Sequence, residues 1–438
     1  VIGQGPMRPL ILPRSLNPPM PAPFLLEPPA RLLLLAGDRA KVVEVSSGRE
    51  VAGGFSFPEP VLATSSVDTK PLIRSDMKFM VVRTVRGEWQ AWELDGDGVR
   101  HVVKLQDAPT TAGAVVFSAA GDLVSIATVE VRGWNLRTGV PEGPAFSPSA
   151  ALVYVTANFS PDGKRLALGT ADGAALIVDV ATARPVVKFA TRPLVPNQRV
   201  LFSPDGLRVV TANVQEETRL WDAISGQPIS PATHIPGDGQ SVFSADGRWL
   251  AHWSDNRTSL WDGRTGVPVG KIISGGGKIV RFNSDGSRLA TAEREGDAQI
   301  WDVPSGEALT EPLSHRPSSA MNPQFSPDGR FLRTEGARFY LWSLPPPANK
   351  GAAVPEWLLQ LATLSASKIV DEHGELVDDP AAFSRADALR REIAALPADS
   401  PFAEWGRWIL DDRPDRPIAP GFTITPAEAD KLAAGSAP

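Results

Sequence analysis

Five histidines, a set of Asp-Gly pairs and one Gly-rich lysine segment are the residues whose types could do chemistry in this sequence. His101, His234, His252, His315 and His373 could ligate a metal or move protons, but they are scattered over separate segments and build no ligand cluster. "SGGGKIV" at 274–280 comes nearest to a phosphate cradle, yet it lacks the first Gly and the Ser/Thr of a P-loop and reads as a connecting loop. The Asp-Gly pairs never extend to the D-x-[DN]-x-[DN]-G calcium loop, so hairpin turns explain them. There is no GxSxG elbow, no kinase HRD or DFG, and no dinucleotide fingerprint. With 0 Cys the chain has no disulfide, no thiolate ligand and no Cys nucleophile. The sequence therefore predicts no catalytic residue, no cofactor and no metal, and a protein that is not an enzyme.

Composition narrows the elements that must carry these residues. The 438 residues are 42% hydrophobic and include 42 Pro and 38 Gly, a load of turn-formers that favours many short strands over long helices. Of the 44 Lys+Arg and 50 Asp+Glu, residues 350–438 hold 9 and 15, leaving 35 and 35 before them, so the tail carries the whole net charge of −6. That is no basic footprint, and nucleic acid is not an expected partner. No apolar run is long enough for a membrane span. The N-terminus has no signal-peptide pattern and begins with Val, which suits a mature product or a fragment of something longer. A cytoplasmic location is expected, with export after processing as the alternative.

The main signal is a repeat. A turn motif recurs at Phe117, Phe159, Phe202, Phe243, Phe282 and Phe325, at intervals of 42, 43, 41, 39 and 43 residues, as in "FSPDG" at 202–206. A second landmark follows each Phe by 17 to 19 residues: Trp134, Val178, Trp221, Trp261, Trp301 and Trp342, with Asp222, Asp262 and Asp302 completing three Trp-Asp pairs. Trp92 and Val43 mark two earlier copies, which makes eight units. Asp-Gly makes a tight hairpin after the Phe strand, an apolar strand follows, a third strand ends in Trp-Asp, and "SGQP" or "TGVP" turns into a fourth. Four antiparallel strands at this period describe a β-propeller blade.

"FSPDG…LWD…SGQP" resembles the WD-repeat family over residues 23–344. The resemblance implies an all-β propeller, with eight blades expected here and seven as the alternative. It also implies a His before the first strand and an Asp before the third, tying each blade together. His234 and Asp255 match those places in one unit, Asp172 matches in another, and His315 lies close to the His position of the last unit. Most other units lack the His, so the blades are expected to be held mainly by apolar packing.

The expected domains are an N-terminal segment 1–21, the propeller 22–346 and a helical extension 347–438. The last unit runs into "LPPPANK", where proline cannot donate to an outer strand. "MRPLILPRS" near the N-terminus could supply that strand and close the ring. In the tail, Trp357, Leu358, Leu361 and Leu364 share a helical face within 354–370. A second helix is expected from Asp379 and Pro380, with Phe383, Ala386, Leu389, Ile393 and Leu396 on its face; a third from Ser400 and Pro401, presenting Trp405, Trp408 and Ile409. Thr425, Pro426 and Glu428 have capping-box spacing. With few apolar residues, these helices are expected to pack on the propeller rather than form a core of their own. The tail, with "EWLLQLA" and "DSPFAEWGRWILDDR", resembles the helical segment of planctomycete-type WD-repeat proteins, in which the propeller often follows a serine/threonine kinase domain.

Trp249 and Trp253 are aromatics beyond the landmark Trp261. They read either as packing between blades or as partner-binding residues. Function is expected to be a non-catalytic protein–protein interaction scaffold or a subunit of a larger assembly, binding other proteins through loops before strand one and between strands two and three. The alternative is the sensor or regulatory region of a larger WD-repeat kinase.

Overall fold

A computed structural model of the chain describes residues 9–12, 24–26, 31–36, 39–44, 46–47, 49–56, 72–73, 79–84, 86–95, 98–108, 114–117, 123–127, 131–146, 154–191, 197–213, 217–234, 240–254, 257–274, 279–292, 296–315, 321–335, 338–346, 355–366, 368–370, 376–378, 382–397, 400, 402–411, 413 and 415–434. Up to Ser343 its regular elements are antiparallel strands, and helices begin only at Glu356. This is the all-β architecture expected of a propeller.

The fifth sheet shows why the repeat folds as it does. Its strands are Asn197–Phe202, Arg208–Asn213, Glu217–Asp222 and Thr233–His234, paired in chain order. Gly206 has φ 70°, a left-handed conformation that a side chain would strain, and its N–H donates to Ser203 O at 2.9 Å. The buried Ser203 hydroxyl donates to Asp205 and accepts from the Arg208 N–H at 3.0 Å. At the other turn the Asp222 carboxylate accepts from Ile224 N–H at 3.0 Å and Ser225 N–H at 2.7 Å. Val209 faces Trp221 across the ladder, and the Trp221 indole donates to Thr211 at 2.8 Å.

Among the described residues, eight sheets of this kind follow one another along the chain. The first contains Arg39–Glu44, the second Phe79–Arg83, the third Val131–Asn135 and the fourth Arg165–Thr170. The sixth comprises Gln240–Phe243, Trp249–Ser254, Arg257–Asp262 and Pro268–Ser274. The seventh has Ile279–Phe282, Arg288–Ala292 and Ala298–Asp302, and its fourth position is held by isolated bridges, Ala298 with Leu313 and Trp301 with Ala308. The eighth has Met321–Phe325, Phe331–Glu335 and Phe339–Ser343, and its fourth strand is Leu10–Leu12, with Leu10 opposite Leu341.

The core lies between sheet faces. Ala167, Ala175 and Ile177 of the fourth sheet meet Val200, Phe202, Val209 and Trp221 of the fifth. Val210 and Leu220 meet Leu250 and Trp261 of the sixth. Ala251, Trp253 and Leu260 meet Val280, Leu289 and Trp301 of the seventh. Ala290, Ala292 and Ile300 meet Phe325, Leu332 and Trp342 of the eighth. Trp221, Trp261, Trp301 and Trp342 thus each fill the seam toward the preceding sheet.

The tail has four helices among the described residues: α1 Glu356–Ala366, α2 Ala382–Ala395, α3 Ala403–Ile409 and α4 Pro426–Ala433. Contrary to expectation, α1 to α3 share a small core of their own: Trp357, Leu361, Leu389, Ile393 and Leu410. Gly406 allows it, because a Cβ there would stand 2.8 Å from the Trp357 ring. The first helix ends at Ala366, and Lys368–Val370 pairs with Leu376–Asp378 instead of continuing it. The β-branched Ile369 and Val370 suit that hairpin. Phe402, at φ 62°, rather than Ser400, precedes α3. The residues Asp379, Pro380 and Pro401 lie outside the described residues. Thr425 does cap α4, with the reciprocal Thr425–Glu428 box in place.

The second half of the tail packs on the sheets. Ile418, Phe422, Ile424 and Leu432 join Leu10, Phe331, Phe339 and Leu341 of the eighth sheet and Val43 of the first. The Thr423 N–H donates to Ser46 O at 2.8 Å, next to the first sheet. Trp408 packs on the same cluster, with Trp405 edge-on to it at 6.2 Å.

Candidate functional site

The loops expected to bind partners, such as 214–216, 235–239 and 255–256, lie outside the described residues, and Asp255 lies there with them. Their anchors are described. Asn213 and Glu217, flanking 214–216, bond to each other twice, Asn213 Nδ2 to Glu217 Oε2 at 3.0 Å and Glu217 N–H to Asn213 Oδ1 at 3.1 Å. That clamp holds the two strand ends together whatever the loop contains. His234 ends the outer strand of the fifth sheet, opposite Glu217, rather than standing free before the sixth.

At the opposite edge, the Asp-Gly and Trp-Asp turns among the described residues are tied by hydrogen bonds. The Ser160 hydroxyl holds the Asp162 carboxyl below its ordinary range. Burial pushes Asp205 and Asp246 up, but hydrogen bonds from Ser203 and Ser244 and from backbone N–H groups outweigh it, and both end lowered. The Ser225 N–H lowers Asp222 in the same way. Burial likewise opposes the backbone bonds at Asp262, and the bonds prevail. Asp302 accepts from the Ser305 N–H at 2.8 Å. These carboxylates bind their own backbone, the work of a turn and not of a general acid.

Where the other landmarks sit is equally plain. Trp92 and Trp134 are 0% and 1% exposed, their indoles donating to Gln90 at 2.9 Å and Gln106 O at 2.7 Å. The Trp301 and Trp342 indoles donate to Thr291 at 3.0 Å and Thr334 at 2.9 Å. His315 Nε2 is 2.5 Å from the Thr334 hydroxyl, its Nδ1 is 2.7 Å from Leu313 O, and its N–H donates to Asp297 at 3.1 Å. Burial lowers the His315 pKa. His252 is 1% exposed, faces Ser241 at 2.9 Å, and is pushed down to about 4 by burial.

Of the two readings of Trp249 and Trp253, burial favours packing between sheets. Trp253 is 4% exposed, and both pack in the seam between the sixth and seventh sheets. Trp253 is enclosed there, while Trp249 is half-buried. Among the described residues no group of three His, Asp or Glu is placed to hold a metal. His373 lies outside them, and His101 is an exposed residue of Gly98–Lys104.

No family model matches the chain. It is 26% identical over 195 residues to a WD repeat-containing protein of Synechocystis, covering 42% of this chain and 43% of that one. It is 31% identical over 105 residues to the COMPASS component SWD1 of Saccharomyces cerevisiae, covering 23% of this chain and 22% of that one. The chain thus spans less than half the length of these curated relatives. In structure it is similar to the computationally designed Ika8 protein, with a TM-score of 0.58 at 15% identity over 77% of this chain and 100% of that one, a likeness of fold alone. The relatives support a WD-repeat family.

Proposed function

We propose that this chain is a non-catalytic scaffold or assembly subunit that holds other proteins through its loops. One observation carries the reading. The repeated polar groups bond to one another, as Ser203 with Asp205 and Thr211 with Trp221 do, so the shared part of each unit is occupied with structure. What remains for recognition is what differs between units, such as 214–216 and 255–256. A rigid array with variable loops suits protein partners. No helix among the described residues is long and apolar enough to cross a membrane.

The eight sheets are proposed as eight blades of one closed ring. The pairing of Leu10 with Leu341 supports it, as does the cluster joining Val43 to Phe331 and Phe339. In this reading residues 1–21 carry the closing strand, 22–346 the propeller and 347–438 an extension whose second half covers the junction.

The test is affinity capture with the full chain and with a variant whose residues 214–216 and 255–256 are replaced by Gly-Ser. A specific partner recovered with the first and lost with the second is the expected result. Recovery of the chain alone, or capture indifferent to the loops, sinks the proposal.

A further inference from the structure

From the fourth sheet onward the seams between sheets follow one rule. The residue just before the landmark of one sheet packs with the landmark tryptophan of the next: Ile177 with Trp221, Leu220 with Trp261, Leu260 with Trp301 and Ile300 with Trp342. The seam between the third and fourth sheets breaks this rule from both sides. Gly133 stands where Ile177 stands one sheet later. Val178, opposite Leu166 as Trp221 is opposite Val209, stands where a tryptophan would. Two bulky side chains are thus replaced by a hydrogen and a valine. A narrow cleft open to solvent runs along this seam, lined by Gly133 and Pro144 of the third sheet and by Phe159, Leu166, Leu168 and Val178 of the fourth.

The two sheets have no room to close over the gap. Gly143 of the third sheet, at φ 72°, lies against the turn after Val178, where a Cβ would stand 2.7 Å from Val180 O. Backbone already meets backbone there. The floor of the cleft is apolar and offers no hydrogen-bond acceptor. Where Thr211 accepts from the Trp221 indole at 2.8 Å in the fifth sheet, the fourth has Leu168, which is 0% exposed. At the rim, the Asp179 carboxylate is taken up by the Thr182 N–H at 2.9 Å and the Thr182 hydroxyl at 2.8 Å. Arg132 is a cation of the lining. Lys188 lies opposite Leu176, which packs with Val178, so it stands on the same face of the fourth sheet. It is exposed and pairs with no carboxylate among the described residues.

We propose that the cleft between the third and fourth sheets receives a phenylalanine side chain of a protein partner, with an acidic residue beside it meeting Lys188. The four sister seams show what fills such a place, an aromatic ring, and here the chain itself does not supply one. Leu168 in place of a hydroxyl favours a phenyl ring over an indole, whose N–H would be buried without an acceptor. A flat ring fits between two sheet faces and buries a large apolar area with few rotatable bonds to fix. The exposed lysine sets the charge of the approaching segment and orients it more than it tightens the hold. This surface is distinct from the loops 214–216 and 255–256, so the two readings fail separately.

The test is fluorine NMR of an acetylated Glu-Phe-Glu amide, its ring carrying the fluorine, titrated with the full 438-residue chain. Saturable binding is expected, and Glu-Ala-Glu as competitor should bind at least about tenfold more weakly, the scale of one buried ring. Val178→Phe supplies the ring from within. It should abolish binding and melt at or above the wild-type temperature. Val209→Phe, in the filled seam where Val209 is 0% exposed, should instead melt several degrees lower, because it overpacks. Lys188→Glu, at an exposed position, should weaken binding severalfold and leave the melting temperature alone. Benzyl alcohol competing as well as the peptide would assign the cleft to a free small aromatic and overturn the partner. Glu-Leu-Glu or Glu-Trp-Glu competing equally overturns the phenyl ring, and equal affinity in Lys188→Glu overturns the acidic neighbour. No saturable binding, binding retained in Val178→Phe, or a Val178→Phe variant as destabilised as Val209→Phe overturns the site.

Discussion

The sixth and eighth sheets have the same register and different interiors. In the eighth, Leu332 faces Trp342 and Thr334 lies two residues on. The Trp342 indole donates to the Thr334 hydroxyl, that hydroxyl can donate to His315 Nε2, and Nδ1–H can donate to Leu313 O. Every polar atom in this chain of bonds has a role, and the imidazole is neutral. In the sixth, Leu250 faces Trp261, and His252 stands where threonine would. There His252 Nε2, Trp261 Nε1 and Thr258 Oγ1 are buried without a hydrogen-bond partner. Yet Trp261 is packed as tightly as Trp342, at 3% and 4% exposure. Apolar packing therefore sets the seam, and the polar network is an addition that one sheet does without. The consequence is a sheet whose stability depends on keeping a histidine uncharged.

The sharpest way to break this comparison is Thr334→Val. It strips partners from both Trp342 and His315, and leaving two buried groups unmatched should cost about 3 kcal/mol in urea unfolding. A loss near zero would mean that such networks carry nothing, and that the sixth sheet lacks nothing. Next in size is pH. His252 is held near 4 when folded, while an unfolded histidine titrates near its ordinary 6.5. Its neutral form therefore supports folding above about pH 6.5, and that support drains away as pH falls toward 4, to a limit of about 3 kcal/mol. His315 is shifted in the same direction and adds to the slope. His252→Thr should flatten the melting temperature between pH 7 and pH 4.5, while restoring a hydroxyl for Trp261. An unchanged slope would put the pH dependence elsewhere.

Smaller still should be Ser244→Ala and Ser326→Ala. Both serines accept from the N–H five residues on, at 3.0 and 2.9 Å, so each loss should be about 1 kcal/mol and the two should be equal. Unequal losses would show that the two sheets differ at their turns as well. The smallest effect belongs to Arg330→Gln. The Arg330–Glu404 pair, at 2.8 Å, ties the eighth sheet to the tail, but both side chains are about half exposed, at 51% and 53%. It should contribute about 0.5 kcal/mol or less, and that contribution should vanish in high salt.

The sheets were legible in the sequence because their signals are local. A glycine at positive φ after Asp, and a tryptophan a fixed distance beyond, are imposed by turn geometry and strand register, so they recur with the fold. The capping box at Thr425 is local in the same sense. What escaped sequence reading depends on contacts between distant segments. Gly406 lets α3 approach Trp357, from a part of the chain 49 residues away, and that contact gives α1 to α3 a core that apolar counts had denied them. The sequence left Trp253 open between packing and binding because nothing in "LAHWSDN" says which face meets the seventh sheet.

The strand Leu10–Leu12 has a partner that is made late. Leu10 meets Leu341 across 330 intervening positions, the longest separation among the described ladders. At roughly 5–20 residues per second, a nascent chain would wait on the order of half a minute before that pairing was sterically available. After it, Phe331, Phe339 and Leu341 would still lack the companion cover of residues 418–432 until those were made. Chain order thus leaves these faces uncovered between the making of residues 321–343 and the making of residues 418–432.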